Sequence, residues 1–200
     1  MKKKVEKPSL ESLREDIVFD TTLCDQKLRL HSTWGIFSPR EIDAGTALLL
    51  KYVDIAKDAD CLDLGCGYGP IGLTVAKLAP QGKTLMVDKD FMAVEYSNKN
   101  AKVNNIDNAE AMLSNGFQHI EKDRRFDVVI SNVPAKVGKE MMTLMLNDAK
   151  RHMKPDGEMF LVTINGLRQY MKRNLNEVFG NYKKLKQGPG YTVSYARRER

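Results

Sequence analysis

The feature that most constrains this fold is a regular alternation of short apolar segments with helical patterns, which begins near residue 60. Apolar segments of strand length occur at about 60–64, 84–88, 109–113, 126–131 and 158–164. Helical patterns lie between them, at about 70–79, 90–104, 137–153 and 167–179. Successive strand–helix–strand units form right-handed crossovers, so this alternation predicts an α/β fold in which helices cover both faces of a mostly parallel sheet.

The two ends of the chain predict additions to this sheet. Residues 182–187 and 191–197 are strand-like and are separated by a Gly-Pro-Gly turn, which predicts an antiparallel hairpin at the C-terminal end. Near the N-terminal end, the alternating stretch at 27–31 (KLRLH) predicts short strands or a hairpin. We therefore interpret residues 1–38 as an N-terminal extension that packs on a main domain of residues 39–200.

Local patterns also predict how the helices begin and pack. Ser38, Pro39 and Glu41 have the spacing of an N-cap, a first-turn proline and an acid at the third position, which predicts a helix that runs to about Val53. A short helical turn is expected at 116–121. In the helix at 137–153, apolar residues spaced by four predict the face that packs on the core, namely Val137, Met141, Met145, Ala149 and Met153.

Composition and charge limit the class of protein. The chain has 200 residues, of which 42% are hydrophobic and 29% charged, as in a soluble globular domain. No segment approaches the ~20 apolar residues of a membrane helix, and the N-terminus lacks the apolar core of a signal peptide, so we expect a cytoplasmic protein. Three cysteines without a CxxC pair and three separated histidines predict neither a disulfide nor a metal site. The net charge of +6 favours a polyanionic partner, although solvated basic ends would give the same composition.

The segment after the first strand of the alternation predicts a nucleotide-like ligand. Residues 60–64 (DCLDL) run directly into residues 65–70 (GCGYGP), and in open α/β sheets ligands bind beyond the carboxyl ends of the strands. Pro70 occupies the position of the third glycine of the dinucleotide fingerprint. A carboxylate at Asp63 would repel a pyrophosphate but suits the ammonium and sulfonium groups of S-adenosylmethionine. Asp88, which ends the second strand, can accept hydrogen bonds from both ribose hydroxyls. The pattern favours S-adenosylmethionine as the cofactor over a nicotinamide or another nucleotide.

The chain resembles the class I S-adenosylmethionine-dependent methyltransferases in three segments, CLDLGCGYGPIGL, LMVDKDFMAVEYSNKNAKVNN and FDVVISNVP. The segment from Trp34 to Leu49 resembles more narrowly the ribosomal RNA small-subunit methyltransferase C group and its short single-domain archaeal relatives. The similarity runs from about residue 15 to 197. It implies a Rossmann-like, mostly parallel seven-stranded sheet with an antiparallel C-terminal strand. It also implies methylation of the exocyclic N2 of a guanine in ribosomal RNA, with RNA or the ribosomal subunit as the partner.

The resemblance also implies where the cofactor binds. The candidate cofactor-binding residues lie at or just after the ends of the first three strands, except for one that precedes these strands. They are Thr46, Asp63, Gly65, Cys66, Gly67, Tyr68, Gly69, Asp88, Lys89, Asn115 and Gly116. Asn115 stands where the family usually has an acid that accepts a hydrogen bond from the adenine amino group. Its amide oxygen can still accept that bond, so we expect cofactor binding to be weaker but not lost.

The candidate catalytic residues are Asn132, Val133 and Pro134, in a motif that departs from the family pattern of Asn-Pro-Pro followed by an aromatic or apolar residue. An exocyclic purine amine is a poor nucleophile, and hydrogen bonds to the Asn132 oxygen and the Val133 carbonyl would hold it in line with the methyl group. Pro134 favours extended geometry at Val133, so that carbonyl should remain correctly aimed. No strong general base is needed.

The residue after this motif is small, which leaves the surface that a flipped base would stack on undefined. The candidate substrate-binding residues are Phe37, Ala135 and Lys136, and Trp34, Phe37 or Tyr191 could supply the stacking surface. Three alternatives remain open. Asn-x-Pro could be an ordinary turn, the enzyme could act on a protein glutamine amide or a small molecule, or the chain could be an inactive methyltransferase fold that binds RNA or protein.

Overall fold

The strands and helices lie where the alternation predicts them, apart from the first helix. The computed structural model describes residues 15–134 and 137–199. The strands are β1 (Ile17–Leu23), β2 (Gln26–Ser32), β3 (Cys61–Leu64), β4 (Thr84–Asp88), β5 (Ala109–Leu113), β6 (Phe126–Asn132), β7 (Met153–Ile164), β8 (Lys183–Gln187) and β9 (Tyr191–Arg197). The helices are α1 (Ala44–Leu50), α2 (Pro70–Leu78), α3 (Phe91–Val103), α4 (Lys139–His152) and α5 (Arg168–Phe179).

Within the described residues, seven strands form one sheet in the order β5-β4-β3-β6-β7-β9-β8. β3 to β7 pair in parallel, whereas β9 runs antiparallel to both β7 and β8. The chain moves outward from β3 through β4 to β5 and then returns to the other side of β3 as β6, so the strand order reverses between β3 and β6. The predicted fold class is confirmed, including the antiparallel C-terminal strand.

Alternate residues of each strand face opposite sides of the sheet and enter two apolar clusters. Cys61 belongs to the cluster beneath α2 and α3, and Leu62 belongs to the cluster beneath α4 and α5. Both are fully buried, as expected for a parallel strand that is covered on both faces. Asp63 lies two residues after Cys61, on the same face of the strand, and therefore points toward α2. None of the described helices combines the length and the apolar character needed to cross a bilayer.

The first helix begins later than its sequence pattern predicts. α1 starts at Ala44, and its N-cap is Asp43, whose Oδ2 accepts hydrogen bonds from the backbone N–H groups of Gly45 and Thr46. Ser38 was predicted as the N-cap, but it has a positive φ of 48° and its hydroxyl donates to the Glu41 carbonyl. The prediction was wrong because an aspartate five residues later caps the same apolar segment.

The core-facing side of α4 was predicted correctly except at Met141. Ala149 and Met153 are fully buried, and Val137 and Met145 pack against the core, whereas Met141 is 50% exposed and Met142 and Leu146 are buried instead. A spacing of four exceeds the 3.6-residue turn, so a series with that spacing rotates by about 40° at each step and leaves the core face. The true face alternates steps of four and three. The short turn expected at 116–121 is present, with Ile120 N–H donating to Phe117 O.

The N-terminal hairpin forms as predicted, and α3 holds it through asparagine side chains. Asn104 accepts from Arg29 N–H and donates to Arg29 O, both at 2.8 Å. Asn100, one turn earlier, pairs in the same way with His31 at 2.7 and 2.8 Å, and it also donates to Tyr68 O at 2.9 Å. The side-chain amides of Asn100 and Asn104 therefore bind the backbone N–H and C=O groups of β2 that a neighbouring strand would otherwise bind. The division of the chain at residue 38 stays a prediction.

Replacing Asn100 by alanine should leave the backbone groups of His31 and the Tyr68 carbonyl without these partners. We expect the free energy of unfolding to fall by about 2–3 kcal/mol, the cost of leaving partly buried polar groups unpaired. Urea denaturation followed by circular dichroism measures this change. The matched control is Asn147→Ala at an exposed helical position, which should change the free energy by less than about 0.5 kcal/mol. Equal effects of the two substitutions would contradict the prediction.

Candidate active site

The parallel pairing of β3 with β6 places two sequence motifs side by side. Asp63 is the register partner of Ile130, so the residues two positions further along, Gly65 and Asn132, emerge together from the sheet. This position is the carboxyl end of both strands, at the point where the strand order reverses. Open α/β sheets bind their ligands in the crevice at such a point.

The loop after β3 is open on the side that faces this crevice. Gly65 and Gly67 have φ values of +79° and +56°, and a Cβ atom added to either would meet no protein atom within 4 Å. The side chains of Cys66 and Tyr68 are buried in the core. A ligand here would therefore contact the backbone of the loop, which Gly69 joins to the start of α2.

Asp63 is a buried carboxylate with one unused oxygen. Its Oδ2 accepts a hydrogen bond from Gly72 N–H at 2.8 Å, whereas its buried Oδ1 has no partner among the described residues. Burial raises the pKa of Asp63 to about 7. The hydrogen bond from Gly72 opposes this rise, and the nearby charge of Asp88 adds to it. An unpaired buried carboxylate oxygen is costly, and a ligand cation such as an ammonium group would satisfy it.

Asp88 lies across the crevice from Asp63, at the end of β4. Its Oδ2 accepts from Gly67 N–H and its Oδ1 accepts from Asp90 N–H, each at 3.0 Å. Carboxylate oxygens can each accept more than one hydrogen bond, so both remain able to receive a hydroxyl group. The neighbouring candidates Lys89 and Asn115 are exposed. Ser114 N–H donates to Asp88 O at 2.8 Å, which brings Asn115 and Gly116 next to the end of β4.

The side-chain nitrogen of Asn132 is held by α1. Nδ2 donates to Asp43 Oδ2 at 2.9 Å and to Thr46 Oγ1 at 3.0 Å. Thr46, a candidate cofactor residue in the sequence, therefore contacts Asn132 directly. Val133 is buried and its N–H donates to Val162 O at 3.0 Å. Pro134 is exposed at the end of the motif, and the candidates Ala135 and Lys136 lie outside the described residues.

A segment with exposed aromatic side chains leads into α1. Phe37 is 69% exposed and Trp34 is 40% exposed, with the Arg40 guanidinium 4.5 Å from the centroid of the Trp34 ring. The hydroxyl of Tyr68 donates to the carbonyls of Ser38 and Glu41, so the glycine loop holds this segment in place. Of the three side chains considered for base stacking, Phe37 has the most exposed ring, since Arg40 lies over Trp34 and Tyr191 is partly buried.

Arg197 and Arg198 lie away from this site. They occupy the end of β9 opposite Tyr191, where Arg197 pairs with Asp156 and Arg198 donates to the Met153 carbonyl. Within residues 15–134 and 137–199, no group of three or more His, Cys, Asp or Glu side chains could hold a metal ion.

Asp43 and Tyr68 both organise the site, although the sequence predicted no role for Asp43 and a different role for Tyr68. Asp43 caps α1, holds Asn132 and accepts a hydrogen bond from the Tyr191 hydroxyl at 3.0 Å. Tyr68 was expected to bind the cofactor, but its side chain connects the glycine loop to the segment before α1. The position of Asp43 directly before an apolar segment is typical of an N-cap and could have identified it. The cap-like pattern at Ser38 was chosen instead.

Comparisons with known proteins agree with this geometry. The model of the methyltransferase small domain family matches residues 27–195. The uncharacterized protein YbxB of Bacillus subtilis (strain 168) is 30% identical over 196 residues, which cover 96% of each chain. Ribosomal RNA small subunit methyltransferase C of Haemophilus influenzae (strain 86-028NP) is 35% identical over 172 residues, which cover 84% of this chain and 51% of that protein. The chain thus spans about half the length of the curated relatives of that name.

Solved structures share the fold. A T. thermophilus 16S rRNA N2 methyltransferase (RsmC), solved in complex with AdoMet and guanosine, superposes with a TM-score of 0.85 and 27% identity, covering 96% of this chain and 52% of that one. A Pyrococcus furiosus methyltransferase superposes with a TM-score of 0.66 over 84% of this chain and 91% of its own, and its identity of 22% supports the fold alone.

Replacing Asp63 by asparagine should stabilise the ligand-free protein at alkaline pH. The pKa of this carboxyl is about 7 in the folded chain and returns to its ordinary value of 3.8 on unfolding. Ionisation of the carboxyl therefore destabilises the folded state progressively from pH 3.8 to 7, and the full destabilisation is present above pH 7. Asparagine keeps an acceptor for Gly72 N–H but carries no charge. We expect the melting temperature of the variant to exceed that of the wild type by about 3 °C or more at pH 8, and by less at pH 5. Differential scanning calorimetry tests this, and a difference that does not change with pH would contradict it.

Proposed function

Because the chain belongs to the methyltransferase small domain family, we propose that it methylates the exocyclic N2 amine of a guanine in small-subunit ribosomal RNA. The chain is an S-adenosylmethionine-dependent methyltransferase with a class I fold; the guanine and the ribosomal RNA are the proposed part. One observation carries the proposal: the side-chain amide of Asn132 lies beside the glycine loop with its nitrogen occupied by protein groups. Its oxygen is the atom left for an acceptor amine.

The residues around the crevice fit S-adenosylmethionine. Asp63 Oδ1 is a buried oxygen without a partner, and it would hold the ammonium group of the cofactor. Asp88 would accept the ribose hydroxyls, and Asn115 would accept the adenine amino group. The open backbone at Gly65 and Gly67 would lie along the cofactor. When bound, S-adenosylmethionine supplies an activated methyl group and a neutral thioether leaving group.

Asn132 and its neighbours would hold the acceptor amine. The lone pair of a guanine N2 is delocalised into the ring, so the protein must orient this nitrogen and stabilise the positive charge that develops on it. Asn132 Oδ1 and the carbonyl of Val133 would each accept one of its N–H groups, and Pro134 would restrict the geometry of that carbonyl. Positioning and electrostatics then account for catalysis without a general base.

We assign the base-stacking surface to Phe37. This ring is 69% exposed and belongs to the segment that Tyr68 fixes to the glycine loop. An exposed aromatic ring on this segment would compensate for the small residue at 135, because flipped bases stack on aromatic or apolar side chains. The roles predicted for Ala135 and Lys136 remain part of this proposal, as does the cytoplasmic location.

The names of the relatives favour guanine and ribosomal RNA over other acceptors. Relatives that cover 84% of this chain are named ribosomal RNA small subunit methyltransferase C, and the structural relative RsmC was solved with guanosine. These relatives are about twice as long as the part matched here. We therefore base the proposed reaction on the half of those proteins that this chain matches and on the site residues of this chain.

A labelled-methyl assay on ribosomal substrates tests the proposal. Purified protein, tritiated S-adenosylmethionine and small subunits or ribosomal RNA from cells that lack the modification should yield labelled N2-methylguanosine after nuclease digestion. Asn132→Ala should lower the rate at least ~100-fold, since the amine loses one of its two acceptors in the transition state. Asn147→Ala, the same replacement on the exposed side of α4, should leave the rate unchanged.

The fate of the label separates this proposal from its alternatives. Label that resists ribonuclease but is released by protease would indicate a protein amide acceptor. Cofactor binding without transfer to RNA, ribosomal subunits or protein would indicate a binding module. Either result would overturn the proposed substrate.

The affinity for S-adenosylmethionine should depend on pH through Asp63. The pKa of this carboxyl is about 7, and the ammonium group of the cofactor requires the ionised form, so binding below pH 7 must displace a proton. We expect the affinity to rise about tenfold per pH unit up to pH 7 and to stop rising there, below the pH of about 8 at which the ammonium group of the cofactor itself loses its proton. Calorimetry in two buffers of different ionisation enthalpy would reveal the released proton.

The matched control for this measurement is 5′-methylthioadenosine, which keeps the adenosine but lacks the ammonium group. Its affinity should not vary over the same pH range. A parallel pH dependence of both ligands would exclude Asp63 as the cause.

A further inference from the structure

We propose that Asp43 and Thr46 are positioning residues that lock the Asn132 amide with its oxygen facing the acceptor amine. This inference rests on the proposed function for the identity of the acceptor but not for the geometry of the amide. Neither residue touches the reacting atoms; both act through Asn132.

The hydrogen-bond partners determine which way the amide faces. Asp43 Oδ2 already accepts from the N–H groups of Gly45 and Thr46, and a carboxylate can offer Asn132 only an acceptor. The Asn132 atom that lies 2.9 Å from it must therefore be the nitrogen. Thr46 Oγ1 receives the second N–H at 3.0 Å. A flipped amide would place its oxygen against the carboxylate and lose that bond, so the carboxylate fixes the orientation and the Thr46 hydroxyl adds to it as a second acceptor.

The carboxylate itself is held firmly. As the N-cap of α1 it accepts two backbone N–H groups through Oδ2, and the Tyr191 hydroxyl donates to Oδ1 at 3.0 Å. The space around it is full, because a Cβ at Gly45 would lie 2.8 Å from Asp43 Oδ2 and 3.0 Å from the Tyr191 ring. Asp43 thus has little freedom to follow a rotation of Asn132.

The same arrangement assists the reaction electrostatically. A negative carboxylate that accepts from the amide nitrogen polarises the amide and makes its oxygen a stronger acceptor. During methyl transfer the acceptor nitrogen gains positive charge, so its N–H groups become stronger donors. The hydrogen bond to Asn132 Oδ1 is then stronger in the transition state than in the ground state, which lowers the barrier.

Four variants separate positioning from folding. Asp43→Ser retains a good N-cap side chain, but this side chain is one bond too short to contact Asn132. Asp43→Asn retains the length of the aspartate side chain. Thr46→Val removes the second acceptor at nearly constant volume, and Thr46→Ser retains the hydroxyl. In the ribosomal-subunit methylation assay we expect kcat to fall ~10- to ~100-fold in Asp43→Ser and Thr46→Val, with S-adenosylmethionine affinity unchanged in Asp43→Ser. Thr46→Ser should restore most of the rate, and Asp43→Asn, which keeps the acceptor but loses the charge, should have a rate between those of Asp43→Ser and the wild type.

A second readout needs no substrate. In ¹⁵N-labelled protein, the Asn132 side-chain NH₂ signals, identified by their loss in Asn132→Ala, should exchange with water at least ~10-fold more slowly than those of exposed Asn147. Asp43→Ser should remove this protection and Asp43→Asn should retain it.

The two readouts distinguish failure of this inference from failure of the proposed function. Unchanged kcat in both Asp43→Ser and Thr46→Val, or an Asn132 amide that exchanges as freely as Asn147, would overturn the inference while leaving the function intact. A protected amide in a protein that methylates no guanine would support the geometry and overturn the proposed substrate.

Discussion

The pairing of β3 with β6 is the interaction on which the rest of the site depends. These strands are separated by about 60 residues of chain, yet they lie side by side because the sheet grows in one direction from β3 and then in the other. Their register brings the glycine loop and Asn132 to the same edge. A shift by one residue would turn Asp63 away from α2 and bury different side chains, so the packing of both sheet faces maintains the alignment of the site.

Most of the fold could be predicted because its parallel strands are short, apolar and separated by helices of ordinary length. Predictions failed where two local signals competed. Ser38 and Asp43 both resemble N-caps, and the tertiary contacts of Tyr68 and Asn132 decide between them. On α4 a regular spacing of four placed Ala149 and Met153 in the core correctly, but the helical period buries Met142 and Leu146 there rather than Met141.

The candidate site was predicted to the extent that its residues follow strand ends in sequence. Asp63, Asp88 and Asn132 could be found in that way, because the carboxyl ends of parallel strands converge. The contact of Asn132 with Asp43 could not, since the two residues are 89 positions apart, and Tyr191, which holds Asp43, belongs to the antiparallel strand at the other end of the chain. Such long-range polar contacts leave no periodic signature in a single sequence.

The amide of Asn100 joins two parts of the molecule that otherwise have separate roles. It binds the backbone of β2 on one side and the carbonyl of Tyr68, within the glycine loop, on the other. One side chain thus supports both the hairpin and the loop that lines the crevice. The hairpin, although it lies outside the sheet, shares a support with the ligand site, and loss of the Asn100 amide would remove that support from both at once.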